Sequence, residues 1–408
     1  MYHKKVLSFG YRKEVTDAAK RLNYELVSII DDWDRPNKIP ECQAHETRIY
    51  TQNNVKLELI LGALSREGQL KFDGVFSTFE YFILNASLLG EHLSKPFMPP
   101  LTAMAFRNKY LQKKLLSKTI DSNSFRILNL RERDERHKID DFPLVLKPIA
   151  GGGSEDTFIV RDIEEYTDKI NYFNKKGVLK LFEERFISGE EYHADGWVSN
   201  GEIKFFAVSK YGKPCINIQN GWLLNDTMLR PESHASLYEE VGIYLKETLQ
   251  TLNLENGVFH MEFFIDPLTN AIVFGECASR IPGNYIAETF KQMFDIDLYE
   301  VLLQISVGET VEAPDRGEIT HYYGYTHLPS PSKKSTSLPS EKDVLELDGV
   351  VTMMHEWTTG EPIPDITEAT SNRVGKVVVK SRTREGLQDK IRKIRKFYMD
   401  HYEKIETN

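Results

Sequence analysis

His260-Met-Glu262-Phe-Phe-Ile-Asp266 and Val273-Phe-Gly-Glu276-Cys-Ala-Ser-Arg280-Ile-Pro-Gly283 decide how this chain is read. Both runs are apolar and extended in character, over Gly257 to Ile265 and Ala271 to Phe274, and Asp266-Pro267-Leu-Thr-Asn270 between them is turn chemistry, so they form a hairpin. Each arm carries one carboxylate inside an apolar strand. Two such charges ~5 Å apart in an effective dielectric of about 20 repel by about 3 kcal/mol. A divalent cation resolves that conflict. Magnesium prefers oxygen ligands and shares its shell between one or two carboxylates and substrate phosphates, with manganese as the alternative. Arg280 adds a planar fork suited to phosphate or carboxylate, and a purely structural carboxylate–arginine pair is the competing reading.

Upstream, three features gain meaning from their order. Pro143-Leu-Val-Leu-Lys147-Pro148 is a strand ending in a lysine, and a charge there needs a partner. Gly151, Gly152, Gly153 and Ser154 follow before the next strand, Phe158 to Val160; glycines let backbone amides approach anionic oxygens. The spacing is neither that of a Walker loop nor that of a Rossmann turn, and a ligand-free Gly-rich turn is the alternative. Lys109 lies in the first half of a helix expected from Thr102 to about Lys118. An ammonium there or at Lys147 would form charge-assisted hydrogen bonds with a polyphosphate. In Leu181-Phe-Glu-Glu184-Arg-Phe-Ile187-Ser-Gly-Glu-Glu191, an apolar strand runs into a segment with free backbone groups, which suits an adenine edge; a solvated acidic turn is the alternative.

Organisation follows the same order. The first ~95 residues alternate strand and helix: Val6 to Phe9, Lys13 to Leu22, Leu26 to Ile30, a helix near Val55 to Ser65, Gly74 to Phe76, and a helix near Phe79 to Leu89. Such a pattern implies an open parallel sheet covered by helices. Lys95-Pro96 and Pro99-Pro100 mark a boundary, since proline removes a donor and displaces its predecessor from the helical region. The expected units are 1–98, an α/β domain; 99–190, a central α+β nucleotide-binding subdomain; and 191–408, a mixed-sheet domain with a terminal subdomain from about 317, beyond which a Pro/Ser-rich loop runs from Leu328. Leu387, Ile391, Ile394 and Tyr398 recur at helical spacing near the end and read as a core-facing stripe with a solvated basic surface.

At 408 residues, the chain is long enough for two or three cores, so a single small binding module is excluded. A net charge of −9 argues against broad attraction to nucleic acid or anionic membrane and leaves a small molecule as the expected partner. Cys42, Cys215 and Cys277 form no Cys-x-x-Cys pair and no disulfide framework, and no run approaches a membrane span or a secretory signal. A cytoplasmic, reducing location is expected.

Taken together, Lys109, strand Lys147-Pro148, the glycine loop, Glu-Glu-Arg-Phe-Ile-Ser-Gly-Glu-Glu-Tyr, Phe-His-Met-Glu-Phe and Gly-Glu-Cys-Ala-Ser-Arg resemble the ATP-grasp superfamily over ~100 to 310. Within it the chain looks most like the bacterial carboxylate-amine ligases that include the L-amino-acid ligases. The resemblance implies that Lys109 and Lys147 hold ATP phosphates under a loop of Gly152, Gly153 and Ser154. It implies Glu184 at the adenine amino group, the backbone of Arg185 and Ile187 at the adenine edge, and Glu191 at the ribose. Glu262 and Glu276 would hold magnesium, and Arg280 would act at the acyl centre. Arg280 and the following stretch to Gly283 are expected to meet substrate, and His260 reads either as a group near the acceptor or as a satisfied buried histidine. Ala278 stands where many members carry a further metal-binding Asn. The implied reaction joins a small-molecule carboxylate to an amine, with ADP formed; loading of a carrier or another amine, or ATP binding without turnover, are the alternatives. A homodimer is compatible with it.

Overall fold

In β1 (Lys4–Phe9) the last four residues are buried, and α1 (Lys13–Arg21) turns Val15, Ala18 and Ala19 inward at helical spacing. With β2 (Tyr24–Ile30), β3 (Glu46–Tyr50), α2 (Leu57–Arg66), β4 (Gly74–Ser77) and α3 (Ile83–His92) they build an all-parallel sheet in the order β3-β2-β1-β4. Strand β3 has no counterpart in the sequence reading. Its charged Glu46 and Arg48 pair with each other at 2.7 Å, so its polarity hid a strand that the sheet accommodates. The computed structural model describes residues 2–407 except 35–38, 54–55, 67, 69–70, 96–97, 121–122, 132–141, 316, 331–336 and 358–364. Val55, Pro96 and 331–336 of the Pro/Ser-rich loop lie outside the described residues.

The expected single helix after Thr102 is two: α4 (Pro100–Arg107) and α5 (Lys109–Leu116). Asn108 between them is extended, and its side chain accepts from the Leu111 amide at 3.0 Å. An asparagine that bonds the next turn's amide starts a helix better than it continues one. The break leaves Lys109 as the first residue of α5. Next, β5 (Phe125–Asn129), β6 (Leu144–Lys147), β7 (Phe158–Val160), α6 (Ile163–Lys175) and β8 (Lys180–Arg185) form a four-stranded antiparallel sheet, β5-β8-β6-β7, over a small core of Leu146, Val160, Phe173 and Leu181.

The third sheet takes β9 (Glu190–Ser199), β10 (Glu202–Tyr211), β11 (Asp226–Met228), then after α7 (Ala235–Thr251) β12 (Gly257–Ile265) and β13 (Ile272–Ala278). Beyond α8 (Ile286–Phe294) and α9 (Leu298–Ser306) follow β14 (Tyr322–His327), α10 (Glu341–Leu345), β15 (Val350–His355), β16 (Gly375–Ser381) and α11 (Arg384–Thr407). The order is β13-β12-β9-β10-β11-β14-β16-β15. Every described pair is antiparallel where a mixed sheet was expected, because hairpins join β9 to β10 and β12 to β13 and the later strands return alongside in the opposite sense. One face packs Met261, Phe263, Phe274 and Cys277 against α4, α5 and α7. The other buries Trp197 and Phe205 against α8 and α9, which also meet α1 of the first sheet. On α11 the stripe Leu387, Ile391, Ile394 and Tyr398 is buried. Among the described residues no helix is long and apolar enough to cross a membrane.

Candidate active site

Alternation along three neighbouring strands lays Glu191, His193 and Asp195 of β9, His260 and Glu262 of β12, and Glu276 of β13 on one sheet face. In register Glu262 stands opposite both Glu276 and His193, and His260 opposite Asp195. Above this face lies a cavity of about 840 Å³. The parallel sheet closes its far side with the loops at the carboxyl ends of all four strands: Arg12, Asp31 and Trp33, Asn53, and Thr78 to Phe82. Ligands in open α/β sheets bind at those ends. Every residue singled out from the sequence lines the cavity: Lys109, Lys147, Gly152, Gly153, Ser154, Glu184, Arg185, Ile187, Glu191, His260, Glu262, Glu276, Arg280 and Gly283.

At one end, Lys147 Nζ meets Glu184 Oε1 at 2.6 Å, and buried Lys113 of α5 bonds the same carboxylate. Burial works to raise the Glu184 pKa, but the two ammonium groups outweigh it and hold the carboxyl down at about 2. Lys113 was not singled out from the sequence, since Lys113-Lys114 in an amphipathic helix reads as solvated surface. The Arg185 amide already donates to Ser124 O at 3.0 Å, and its carbonyl accepts from Asn123 at 2.6 Å. That amide is therefore engaged beside the sheet. Lys109 Nζ reaches Glu276 Oε1 at 2.5 Å and Gly151 O at 2.8 Å. Its helix is docked by Gln112, whose amide donates to Cys277 O at 2.6 Å and accepts from Cys277 N at 2.9 Å, as a strand neighbour would. Gly153 takes φ +63°, a left-handed conformation that costs glycine least.

At the hairpin, the carboxylate repulsion expected from the sequence is relieved by Lys109 beside Glu276 and by His260, whose Nε2 lies 3.2 Å from Glu262 Oε1. Tyr211 OH donates to that same oxygen at 3.3 Å. Oε2 of each glutamate accepts no hydrogen bond among the described residues, which fits a pair of oxygen ligands for a hard divalent cation. Although burial opposes it, the His260 hydrogen bond and charge hold Glu262 at about 2. His260 has both ring nitrogens engaged, since Nδ1 lies 2.7 Å from Asp195 Oδ1. The ring therefore supports Glu262, in keeping with the satisfied buried histidine weighed from the sequence. Asp195 in turn bonds His193 at 2.6 Å, and His193 Nε2 lies 3.2 Å from Asp226. Burial works to lower His193, but Asp195 and then Asp226 push it up to about 10. The alternate spacing Glu191, His193, Asp195 in an otherwise apolar strand was the available signal for this chain of charges. Glu191 accepts from the Cys215 amide at 2.6 Å, and burial, then the Glu262 charge, push it up to about 8.

Toward the other end, Arg280 Nε donates to Glu80 Oε2 at 3.1 Å, and Arg107 donates to Glu80 Oε1 at 3.1 Å. Burial would raise the Glu80 pKa, but Arg280, Lys109 and Arg107 lower it below the ordinary carboxylate value. A Cβ on Gly152 would lie 3.3 Å from Glu80 Oε2, so the glycine loop also abuts this pair. Arg373 donates to Asn284, one residue past Gly283, at 3.1 Å. Glu80 and Arg373 come from segments distant in sequence, with no local motif to mark them.

No protein-family model matches the chain. An L-arginine-specific L-amino acid ligase of Bacillus subtilis is 29% identical over 247 residues, 58% of this chain and 58% of that protein. The chain's match spans less than two thirds of the length of the curated relatives it resembles. The crystal structure of an L-amino acid ligase from Bacillus licheniformis superposes with a TM-score of 0.78 at 17% identity, covering 97% of each chain. An N5-carboxyaminoimidazole synthetase from Staphylococcus aureus complexed with ADP gives 0.70 at 16%, over 96% of this chain and 97% of that one. By sequence and by fold the chain is similar to ligases of the L-amino-acid ligase type.

Proposed function

We propose that the protein is an ATP-dependent carboxylate-amine ligase that joins the carboxylate of an amino acid to an amine, with a second amino acid as the expected amine. One observation carries this reading: Lys109, Lys147, Glu184, Glu262, Glu276 and Arg280 converge on a single cavity in which each cation already faces a carboxylate. An arriving triphosphate and cation can exchange with these partners, the phosphates taking the lysines and the metal taking Glu262 and Glu276. ADP in the related synthetase and the L-arginine-specific amino acid ligation of the Bacillus subtilis relative support the same class.

In this reading a substrate carboxylate oxygen attacks the γ-phosphorus of ATP, the bond to ADP breaks, and an acyl phosphate forms. The amine nitrogen then attacks the acyl carbon, phosphate leaves with its electron pair, and the nitrogen loses a proton. Glu262 and Glu276 would hold magnesium, which would supply charge neutralisation for the phosphates. Lys109 and Lys147 bind and orient them beneath Gly152, Gly153 and Ser154, Ile187 and Glu184 take the adenine end, and Glu191 takes the ribose. Arg280 aims a guanidinium at the acyl oxygens, where preorganised positive charge is worth most. No side-chain nucleophile is needed; Cys277 is fully buried on the opposite face. The test is ATP consumption against a panel of amino-acid pairs with the products identified by mass. Amide product with equimolar ADP is expected; ADP without amide would indicate carrier loading or another acceptor, and nucleotide binding without ADP would remove the enzyme reading.

A further inference from the structure

Six lysine and arginine side chains line the cavity, and four of them have a carboxylate within ion-pair reach: Lys109 with Glu276, Lys147 with Glu184, Arg280 with Glu80 and Arg373 with Glu356. Arg185 is exposed at the nucleotide end. Arg12 differs from all of these. It is half-buried just past the carboxyl end of β1, and among the described residues it makes no ion pair. Glu14 and Glu288 act on it electrostatically, but neither bonds it. The side chain is nevertheless held in place. Its guanidinium carbon lies 4.6 Å from the centroid of the Phe79 ring, and Nη1 donates to Tyr299 OH at 3.3 Å. Phe79 precedes Glu80, the partner of Arg280, so the two guanidiniums lean on consecutive residues of the loop after β4.

We propose that Arg12 receives the free α-carboxylate of the amine substrate, which makes that substrate an α-amino acid. The inference rests on the ligase reading above. A ligase that joins two amino acids must activate one carboxylate and leave the other ionised. An ionised carboxylate taken out of water needs a cation with its own charge uncommitted. Arg280 is placed for the activated group, and the lysines belong to the phosphate end. Arg12 is the remaining guanidinium; it lines the same cavity as Arg280 and rests on the residue before Glu80, the partner of Arg280. Stacking on Phe79 and the bond to Tyr299 fix the planar fork before substrate arrives, so little side-chain freedom is lost on binding.

Three acceptors separate this assignment from the reading it rests on: an amino acid, its carboxamide, and hydroxylamine, which has no carboxylate and traps an acyl phosphate as a hydroxamate. Wild type is expected to prefer the amino acid over its carboxamide. Arg12→Gln and Arg12→Ala should raise KM for the amino acid by about 10- to 100-fold and largely erase that preference, while Arg12→Lys restores part of it. Hydroxamate formed by the variants shows that they fold and still activate the first substrate. Equal losses for amino acid and carboxamide, or no loss for either, would overturn the role of Arg12 and leave the ligase standing. Absence of hydroxamate from the wild type with every amino acid tried would overturn both.

Discussion

The two faces of β9, β12 and β13 are built from interleaved residues and share almost no chemistry. On one face Glu191, His193, Asp195, His260, Glu262 and Glu276 form a field of alternating charge under the cavity. On the other, Tyr192, Ala194, Met261, Phe263 and Cys277 pack into the core beneath α7. A strand turns successive residues to opposite sides, so one short segment builds a site and the support that holds it rigid. The charged face is also structural in its deeper part. His193, Asp195 and Asp226 are all fully buried and satisfied by one another, by His260 and by the Tyr325 amide.

The contrast is sharpest at the hairpin. Glu276→Ala is expected to reduce ADP formation by at least about 10²- to 10³-fold with little change in the unfolding midpoint, because it removes a group facing the cavity and leaves the core untouched. A variant with undiminished ADP release would remove Glu276 from the metal assignment. Asp195→Asn, on the same face but buried, should instead lower stability by about 3–5 kcal/mol in denaturant titration, since His193 and His260 lose the carboxylate they share. Phe263→Ala on the apolar face is expected to cost about 3–4 kcal/mol while leaving nucleotide binding in place below the unfolding transition. If it abolished binding in the folded protein, the two faces would not be separable.

The smallest effect concerns pH. Glu191 titrates near 4.5 when unfolded and at about 8 in the ligand-free fold, where burial and the Glu262 charge favour its protonated form. A raised carboxyl pKa contributes stability below pH 4.5 that is lost as pH rises through 8. His193 acts in the same direction over about 6.5 to 10. Stability of the ligand-free protein should therefore fall from mildly acid to alkaline pH. Glu191→Gln should flatten the part of that slope between about 4.5 and 8 and leave the higher part, a comparison made by denaturant midpoints across the range.

Much of the Lys147–Glu184 end of the cavity was legible because its residues sit in short runs with their own signature. Lys147 ends an apolar strand, three glycines follow, and Glu184 and Glu191 flank one strand end. The hairpin glutamates stood out for a similar reason: charges inside apolar, alternating segments require an explanation. The Arg280 end was not legible. Arg12, Glu80 and Arg373 sit in ordinary local surroundings and acquire meaning only where the loops of the parallel sheet meet the antiparallel one. Lys113 was hidden by the opposite effect, since a lysine pair in an amphipathic helix looks solvated until the helix is docked by Gln112.

By itself, then, the sequence determined strand alternation, the turn between the two glutamates, the helical stripes and the order of the units, since all of these depend on neighbours within a few residues. Tertiary structure decided which charge faces which: that Lys109 meets Glu276, that His260 turns to Asp195 and Glu262, that Glu184 is held by two lysines, and that Arg12 rests on Phe79 and Tyr299. Pairing of charges across a cavity depends on through-space distance and on burial, and neither is written in the local pattern of a chain.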